Sequence, residues 1–457
     1  MNEATAAGKP RTLPGGTTAA LVSRSRAPRW DALPPGAVTV AKQCLLDWLG
    51  VSLAARQEPL VRILASELAP VDEPGGCTLI GLDRRARIDT AVLINGAMSH
   101  ALDFDDVLLG MGHPTAPVAP VVLALAEQRG ATGAEAILAL VAGVEAECRV
   151  GALMGPSHYA AGWHSTGTYG TFGAAMAAAT LLGLDDEQLL HCFGLAGTQA
   201  AGLKSVFGTM SKPLHPGKSA QNGLLAARLA GRGFTSDTDI LGSAQGFADT
   251  QSTTVNLTNA LVDLPAPHIV NALFKYHASC YLTHNAIEAA NQLRASEAIL
   301  PGDIESVTVE VQAMHMGVCN IEEPATGLEC KFSLRMTTAL ALAGEDTFED
   351  ALFSDETAQR PDLIELLRRI SVAPTSNDPG STVHVRLKDG STLSRTANVA
   401  TPVRDLARQQ AMLERKFRHL ATAALGSERV ERVIGICRRL EQEPDVSALL
   451  TLCRSGR

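Results

Sequence analysis

The chain has 457 residues, which is too long for one compact core, so at least two domains are expected. Hydrophobic residues make up 46% of the chain but aromatic residues only 4%, which favours closely packed helices over an aromatic-rich β-sandwich. The formal net charge of −9, without a long run of lysine or arginine, excludes a general nucleic-acid binder. Any anionic substrate therefore requires a pocket that is locally positive.

Cysteine usage and apolar runs indicate the compartment. Nine cysteines, an odd number without CxxC spacing, predict reduced thiols in a cytoplasmic protein rather than a disulfide framework or a zinc site. No apolar run reaches about 18 residues, so no contact with a membrane is expected. Residues 1–29 lack the apolar region of a secretory signal and are predicted to form a flexible tail.

Residues 30–265 are predicted to form an almost entirely helical domain. Pro34 and Pro35 open its first helix, and Thr132 with Glu135 fits a capping box at the start of another. Small residues recur every three or four positions in GTFGAAMAAA, which predicts close helix packing rather than a phosphate-binding loop, because no strand precedes the segment. The other helical segments are VTVAKQCLLDWLGVSLAA, DTAVLINGAMSHAL, APVVLALAEQ, GAEAILALVAGVEAECRVGALM and SAQNGLLAARLAGRG.

Residues 266–400 have a different pattern, which predicts an α+β domain. IESVTVEVQAM alternates as a strand does, and VHVRL followed by STLSRTANV reads as a hairpin that turns at Asp389 and Gly390. CYLTHNAIEAANQLRA and CKFSLRMTTALALAG are helical in pattern. Residues 401–457 return to helix and are expected to complete the helical domain. The fold class is therefore mainly α, with a large all-helical domain and a smaller α+β domain.

The densest group of polar residues lies in SHALDFDDVLLGMGHPTAPVAP. Asp103, Asp105 and Asp106 follow a predicted helix, and His113 comes ten residues after the first of them. Three carboxylates within four residues are costly to gather unless they are solvated, capped or functional. One alternative is a solvated helix end with Thr115 as the cap of the next helix, and another is a metal site, although no coordination set is evident.

Three further clusters carry imidazole and ammonium groups. One of them, which carries two lysines, lies just before a predicted helix, where backbone N–H groups and the lysines suit an anion. Another, in FKYHASCYLTHNAIEAA, opens the α+β domain. A single histidine is more often structural than catalytic, but the clusters together indicate a site. Their members are His158, Tyr159 and His164, then Lys212, His215 and Lys218, and finally Lys275, His277, Cys280 and His284.

Four ordered motifs resemble the MmgE/PrpD family, which includes 2-methylcitrate dehydratase, cis-aconitate decarboxylase and iminodisuccinate epimerase. The motifs are HALDFDD with HPTAPVAPVVLALAE, GWHSTGTYGTFGAA, SKPLHPGKSAQNGLLAARLA and KYHASCYLTHNAIEA, and the resemblance runs from about residue 31 to 343. It implies that the α+β domain is a lid, that the protein is a homodimer, and that it uses neither a metal nor an organic cofactor.

The resemblance also implies which residues form the site. Asp103, His113, His164 and Lys212 fall on active-site positions of the family, and Cys280 stands where the decarboxylase has a histidine. The clusters themselves, rather than the resemblance, give the expected substrate-binding residues, which are Tyr159, His215, Lys218, Lys275 and His284. Val107 and Met336 replace a threonine and a tyrosine of the decarboxylase, whereas Cys280 and the segments HYAAGWH and GTMSKPLH are similar to the epimerase.

These expectations lead to three hypotheses about function. The first is a lyase, a dehydratase or decarboxylase, that abstracts a proton next to a carboxylate in a small anionic di- or tricarboxylate of the citrate type. Lys212 would bind a carboxylate, His113 or His164 would take the proton, and Asp103 would orient a neighbour, since an ordinary aspartate is a weak base. The second is an epimerase or isomerase of an iminodisuccinate-like acid, and the third is an inactive binding protein.

Overall fold

Helices dominate the computed structural model, which describes residues 13–26, 30–297, 299–375 and 380–455. About three fifths of the chain, 59%, is helical and 9% lies in strands, so the prediction of a mainly α fold with a smaller α+β region is confirmed. The described residues divide into two compact units. The first contains residues up to Ala101, residues 105–272 and residues from Asp405 onward, and the second contains residues 102–104 and 273–404.

The first unit is a helical assembly with one short hairpin. The hairpin pairs β1 (Cys77–Thr78) with β2 (Arg85–Ala86). The helices up to Ala272 are α1 (Thr17–Ser25), α2 (Pro35–Ala55), α3 (Pro59–Leu68), α4 (Ile88–Ser99), α5 (Thr115–Arg129), α6 (Gly133–Met154), α7 (Pro156–Ala160), α8 (Ser165–Leu182), α9 (Asp186–Gly197), α10 (Ser211–Ala230), α11 (Phe247–Gln251) and α12 (Leu257–Ala260).

Helix α8 lies at the centre of this unit because its small residues let other helices approach. It packs against α5, α6 and α10. A Cβ atom on Gly173 would stand 3.0 Å from the carbonyl oxygen of Gly143, and a Cβ on Gly223 would stand 2.5 Å from the backbone nitrogen of Ala175. The alanines and glycines of this region therefore act in packing, as the sequence pattern predicts.

The starts of two helices show how local chemistry sets their position. The Thr132 side chain accepts from the Glu135 N–H, and the Glu135 carboxylate accepts from the Thr132 N–H, so the predicted capping box is present. The alternative in which Thr115 caps the next helix is wrong. Pro114 occupies the cap position, and the Thr115 hydroxyl donates to Asp106 at 2.6 Å instead.

Helix α2 is a long apolar helix of the first unit. By length and composition alone it could cross a membrane, but 78% of its most apolar window is buried inside the structure. An oxygen of its buried Asp47 carboxylate lies 2.6 Å from the Lys416 ammonium, which forms an ion pair with it. Burial and this buried ion pair are the properties of a core helix.

The second unit contains a four-stranded sheet in the order β4-β3-β5-β6. Strand β3 pairs in parallel with β4 and antiparallel with β5, and the hairpin of β5 and β6 turns through Gly390, whose φ of 91° favours glycine. The elements are α13 (Tyr281–Glu297), β3 (Ile304–Gln312), α14 (Ala313–Met316), α15 (Gly327–Cys330), α16 (Leu334–Ala343), α17 (Asp355–Ala358), α18 (Pro361–Leu367), β4 (Ile370–Thr375), β5 (Ser381–Leu387) and β6 (Thr392–Ala397).

The remaining helices belong to the first unit. They are α19 (Leu406–Leu425), α20 (Ser427–Arg438) and α21 (Ser447–Leu452). Helix α19 packs against α2, and α20 packs against both of them.

The structure differs from the sequence-based expectations at both ends of the first region. Within the predicted tail of residues 1–29, α1 is a helix that buries Leu21 and Val22, so the tail prediction is wrong for this segment. Residues 1–12 and 27–29 lie outside the described residues. The division into units places Leu102–Phe104 with the α+β unit, a grouping that no linear domain boundary at residues 265 and 400 could give.

Candidate active site

The carboxylate of Asp105 contacts two histidines of the first unit. The His100 Nδ1 atom lies 3.0 Å from each Asp105 oxygen, and the His113 Nδ1 atom lies 3.1 Å from one of them. His100 is the C-cap residue that directly follows α4. A tight turn in which Leu108 and Gly112 exchange backbone hydrogen bonds then brings His113 back towards the carboxylate. The φ of 106° at Gly112 makes glycine the favoured residue there.

Asp105 and His100 have defined charge states. Burial by itself would raise the pKa of Asp105, but the two imidazoles hold it well below its usual range. Burial lowers the pKa of His100 to about 4, against the opposing effect of Asp105 and with the help of the Lys212 charge. At neutral pH the carboxylate is therefore ionised and the His100 ring is neutral.

A second pair of histidines lies at the start of α8. His164 precedes the helix, and its Nδ1 atom is 2.8 Å from the Nδ1 atom of His215 on α10. One of these atoms must donate and the other accept, so the two rings cannot both be protonated. Gly202 permits the close approach, because a Cβ atom there would stand 3.2 Å from the His215 Nδ1 atom.

Lys212 brings positive charge to these rings. It lies in the first turn of α10, its side chain is buried, and its Nζ atom is 5.4 Å from the centre of the Phe207 ring. Burial lowers the pKa of His164 well below its usual value, and the charges of the neighbouring histidines and of Lys212 add to the shift. Burial and the Lys212 charge also lower the pKa of His215. The arrangement combines a buried cation with neutral imidazoles, which suits an anion that exchanges a proton.

Two predicted substrate-binding residues in the first unit do not join this group. The Tyr159 ring is covered by the Lys204 ammonium, 3.7 Å from the ring centre, and the same ammonium donates to the Tyr159 carbonyl. Lys218 is exposed, and its Nζ atom donates to Gln221. The neighbouring His158 is structural, since one ring nitrogen contacts the Gln251 carbonyl and the other contacts the Thr168 hydroxyl.

The second unit gathers three other predicted residues. The buried Lys275 ammonium donates to the Asp103 carbonyl at 2.6 Å and lies 3.2 Å from an Asp103 carboxylate oxygen. Asp103 has a φ of 52°, which is uncommon for a residue other than glycine. A hydrogen bond with the Cys319 thiol lowers the pKa of the Cys280 thiol, against the effect of burial, and Lys275 lowers it further.

The histidines of this segment fix its own conformation. The His284 Nε2 atom contacts the Ser279 carbonyl at 3.2 Å. His277 contacts the Thr347 hydroxyl through Nδ1 and the Glu288 carboxylate through Nε2. Two residues outside this segment also differ from the decarboxylase. Met336 is fully buried in α16, and Val107 is buried in the first unit.

His100 is the member of the group that the sequence analysis missed. The sequence indicates its partner Asp105 only as a member of an acidic cluster or as a possible metal ligand. The one local signal is the spacing of five residues across a helix end, which does not distinguish a functional pair from a helix cap. His100, Asp105 and His113 offer ligand atoms within 4.8 Å of one another and are the described donors in the first unit that could hold a metal ion.

Comparisons with known proteins agree with the motifs. The family models described as MmgE/PrpD N-terminal domain and MmgE/PrpD C-terminal domain match residues 21–259 and 277–442. A cis-aconitate decarboxylase of Aspergillus terreus is 26% identical over 92% of both chains. The human cis-aconitate decarboxylase is 27% identical over 91% of this chain and 89% of its own length. A cis-aconitate decarboxylase-like protein of Aspergillus oryzae is 28% identical over 96% of this chain and 98% of its own. Because the two family models together match most of the chain, this protein belongs to the MmgE/PrpD family.

Proposed function

We propose that this protein is a lyase that transfers a proton at the carbon next to a carboxylate in a citrate- or aconitate-like acid. The observation that carries the proposal is the buried Lys212 among the imidazoles of His100, His113, His164 and His215. Relatives that cover nearly the whole chain are named cis-aconitate decarboxylases, which supports a small tricarboxylate as the substrate.

The chemistry requires negative charge to build up beside a carboxylate. Lys212 would bind that carboxylate and stabilise the charge, as a cation in a water-poor site does more effectively than one in solvent. In a dehydration, His113 or His164 takes the proton, and the hydroxyl group leaves as water after it receives a second proton. In a decarboxylation, the departing carbon dioxide leaves its electron pair on the substrate, and a proton from the protein completes the product.

Asp103 has a different proposed role. Its carboxylate is paired with the Lys275 ammonium at 3.2 Å, so we assign it to orienting that lysine rather than to proton abstraction. This agrees with the low basicity of an ordinary aspartate at neutral pH.

An epimerase of an iminodisuccinate-like acid is the second candidate. Cys280, Val107 and Met336 stand where the decarboxylase has a histidine, a threonine and a tyrosine, and this observation favours a different reaction on the same scaffold. A half-buried thiol with a lowered pKa could return a proton to the substrate.

Three further properties belong to the proposal. We expect a homodimer from the family resemblance. We expect a cytoplasmic location, because the nine cysteines are free. We also expect activity without a metal or an organic cofactor, so turnover should survive dialysis against a strong chelator. Loss that one divalent ion restores would instead make His100, Asp105 and His113 metal ligands.

A substrate panel tests the proposed reaction. The purified protein is incubated separately with citrate, 2-methylcitrate, cis-aconitate and iminodisuccinate, and the products are identified by liquid chromatography and mass spectrometry. Loss of water or carbon dioxide from one of the tricarboxylates is expected. Inversion of iminodisuccinate without a change in mass would support the epimerase, and binding without turnover of any acid would support an inactive protein.

A further inference from the structure

We propose that Lys331 is a positioning residue that, together with Lys275, holds the backbone of Leu102–Phe104 and thereby sets the direction in which the chain enters the turn that carries Asp105 and His113. The inference rests on the proposed function, in which this turn takes part in proton transfer. It adds to the candidate site a residue that lies outside the four motifs of the sequence.

Three residues of the chain lead from one part of the candidate site to the next. His100 and Asp105 belong to the first unit, whereas Leu102–Phe104 belong to the second. All three residues of this segment are buried. An Asp105 oxygen lies 3.0 Å from the His100 Nδ1 atom, so the conformation of the short segment between them determines whether this contact can form.

The middle residue of the segment has an uncommon backbone conformation. Asp103 has a φ of 52°, in the left-handed region that residues with a side chain rarely adopt. Such a conformation costs free energy and persists where the surrounding structure holds it. A different φ at Asp103 would turn the following residues in another direction. The groups that hold this segment therefore also set the position of Asp105.

Two buried lysines of the second unit donate to successive carbonyl groups of the segment. The Lys275 ammonium donates to the Asp103 carbonyl at 2.6 Å, and the Lys331 ammonium donates to the Leu102 carbonyl at 3.4 Å. Each ammonium also has a carboxylate partner, which is Asp103 at 3.2 Å for Lys275 and Asp350 at 2.7 Å for Lys331. The carboxylates orient the two ammonium groups, whose remaining hydrogens are available to the backbone.

The last residue of the segment is fixed by packing. Phe104 is fully buried, and its ring meets the Phe348 ring edge to face with centroids 5.9 Å apart. Lys275 is also a predicted substrate-binding residue, so a change at this lysine would mix positioning with binding. Lys331 has no predicted role in binding, and substitutions at Lys331 therefore test positioning alone.

Two matched substitutions separate the bond to Leu102 from the ion pair. Lys331→Met removes the ammonium and keeps a long unbranched side chain, so both interactions are lost. We expect kcat to fall by about tenfold or more and KM to change by less than about twofold, because a displaced proton-transfer group slows the chemical step while Lys212 remains. Asp350→Asn removes only the charge of the partner, and both constants should stay within about twofold of wild type.

Lys331→Gln is the milder variant if Lys331→Met does not fold. Its amide can still donate to Asp350, but the side chain is one bond shorter and should no longer reach the Leu102 carbonyl. The same fall in kcat is expected.

Crystal structures of the variants give a result that needs no turnover. Without the ammonium, Asp103 should leave the left-handed region and the contact of Asp105 with His100 should lengthen, whereas Asp350→Asn should retain both. Unchanged conformations at Asp103 and Asp105 in the Lys331 variants, or equal losses of kcat in these variants and in Asp350→Asn, would overturn the inference. If no acid of the panel is turned over, the proposed function fails, while the structures still decide whether Lys331 sets the position of Asp105.

Discussion

At the scale of single residues, the charge of Lys212 has the widest effect on the candidate site. It contributes to the lowered pKa values of three histidines, His100, His164 and His215. A neutral imidazole next to a fixed cation can take a proton while the cation holds the anion that forms. The neutral state of these histidines, which burial mainly causes, and the affinity of the site for an anion therefore both depend in part on this one side chain.

Replacing this lysine should remove catalysis while the fold stays intact. In Lys212→Ala we expect kcat/KM to fall by about a hundredfold or more, because the charge that stabilises the developing anion is lost. Steady-state kinetics and far-ultraviolet circular dichroism check this prediction. Arg228→Ala is the matched control, since Arg228 is an exposed cation on the same helix. Near wild-type activity in the Lys212 variant would show that the lysine is not part of the site.

Cys280 gives a second prediction at this scale. If its thiol acts in proton transfer, Cys280→Ser should reduce activity strongly and leave the melting temperature nearly unchanged, because the two side chains are similar in size. Labelling of the wild-type thiol should extend below the usual pH range, since the hydrogen bond with Cys319 lowers its pKa, and a bound dicarboxylate should protect it. An unreactive thiol together with a fully active serine variant would leave Cys280 as a packing residue.

At the scale of secondary structure, the turn between α4 and α5 buries a carboxylate that is hard to ionise. Burial raises the pKa of Asp106 to about 7, and Asp47 and Asp105 add to the shift, although the Thr115 hydroxyl opposes it. The unfolded chain releases this proton near pH ~3.9, so between that pH and about 7 the folded state holds more protons than the unfolded state. The contribution of Asp106 to stability therefore falls as the pH rises through this range.

The amide of Asp106→Asn cannot ionise, and it retains an acceptor for the Thr115 hydroxyl. We expect the variant to gain stability relative to wild type, and to gain about 2 kcal/mol more at pH ~8 than at pH ~5. Urea unfolding at the two pH values measures the difference. The same change in unfolding free energy at both would mean that Asp106 does not hold a proton in the folded state.

The contact between α4 and α10 depends on a glycine. A Cβ atom on Gly217 would stand 2.3 Å from the Leu93 carbonyl oxygen, so Gly217→Ala must push the helices apart. We expect a loss of about 1–3 kcal/mol in the free energy of unfolding, and lower activity because α10 also carries Lys212.

Gly435→Ala on α20 is the matched control, because the nearest atom to its new Cβ would be 3.7 Å away, at Arg439. This change should stabilise the protein by about 0.5–1 kcal/mol through helix propensity. Thermal melts of both variants test the pair. Equal shifts in melting temperature would show that α4 and α10 are not closely packed at this glycine.

The elements that the sequence predicts are those whose patterns are local. The hairpin of β5 and β6 has alternating side chains and an Asp-Gly turn, and α6 has its capping box, so both could be placed from the sequence. Strand β4 could not, because only Ile370 of its six residues is buried and its partner lies far away in the chain. Helix α1 could not be placed from the sequence because three of its five buried residues, Thr17, Thr18 and Ser25, are polar, so its buried face has no apolar pattern.

At the scale of the whole molecule, some residues of the candidate site could be predicted from the sequence and others could not. The motifs identify His113, His164 and Lys212, and the structure brings them into one group with His215 in the first unit. The His100–Asp105–His113 arrangement could not be predicted, since it depends on the turn that returns the chain from Leu108 to Gly112. The exposure of Lys218 likewise follows from how α10 packs, which the order of residues does not reveal.

One measurement tests the lyase proposal most directly. The protein is incubated in D₂O with each tricarboxylate of the panel, and the products are followed by proton and carbon NMR. We predict that water or carbon dioxide is lost, at a rate that falls with Lys212→Ala. In a decarboxylation, solvent deuterium should also appear at the carbon of the product that is protonated, whereas a dehydration removes a hydrogen from the substrate and adds none. Deuterium exchange or inversion at the carbon next to a carboxylate with no loss of either group, or no reaction with any of these acids, would contradict the account.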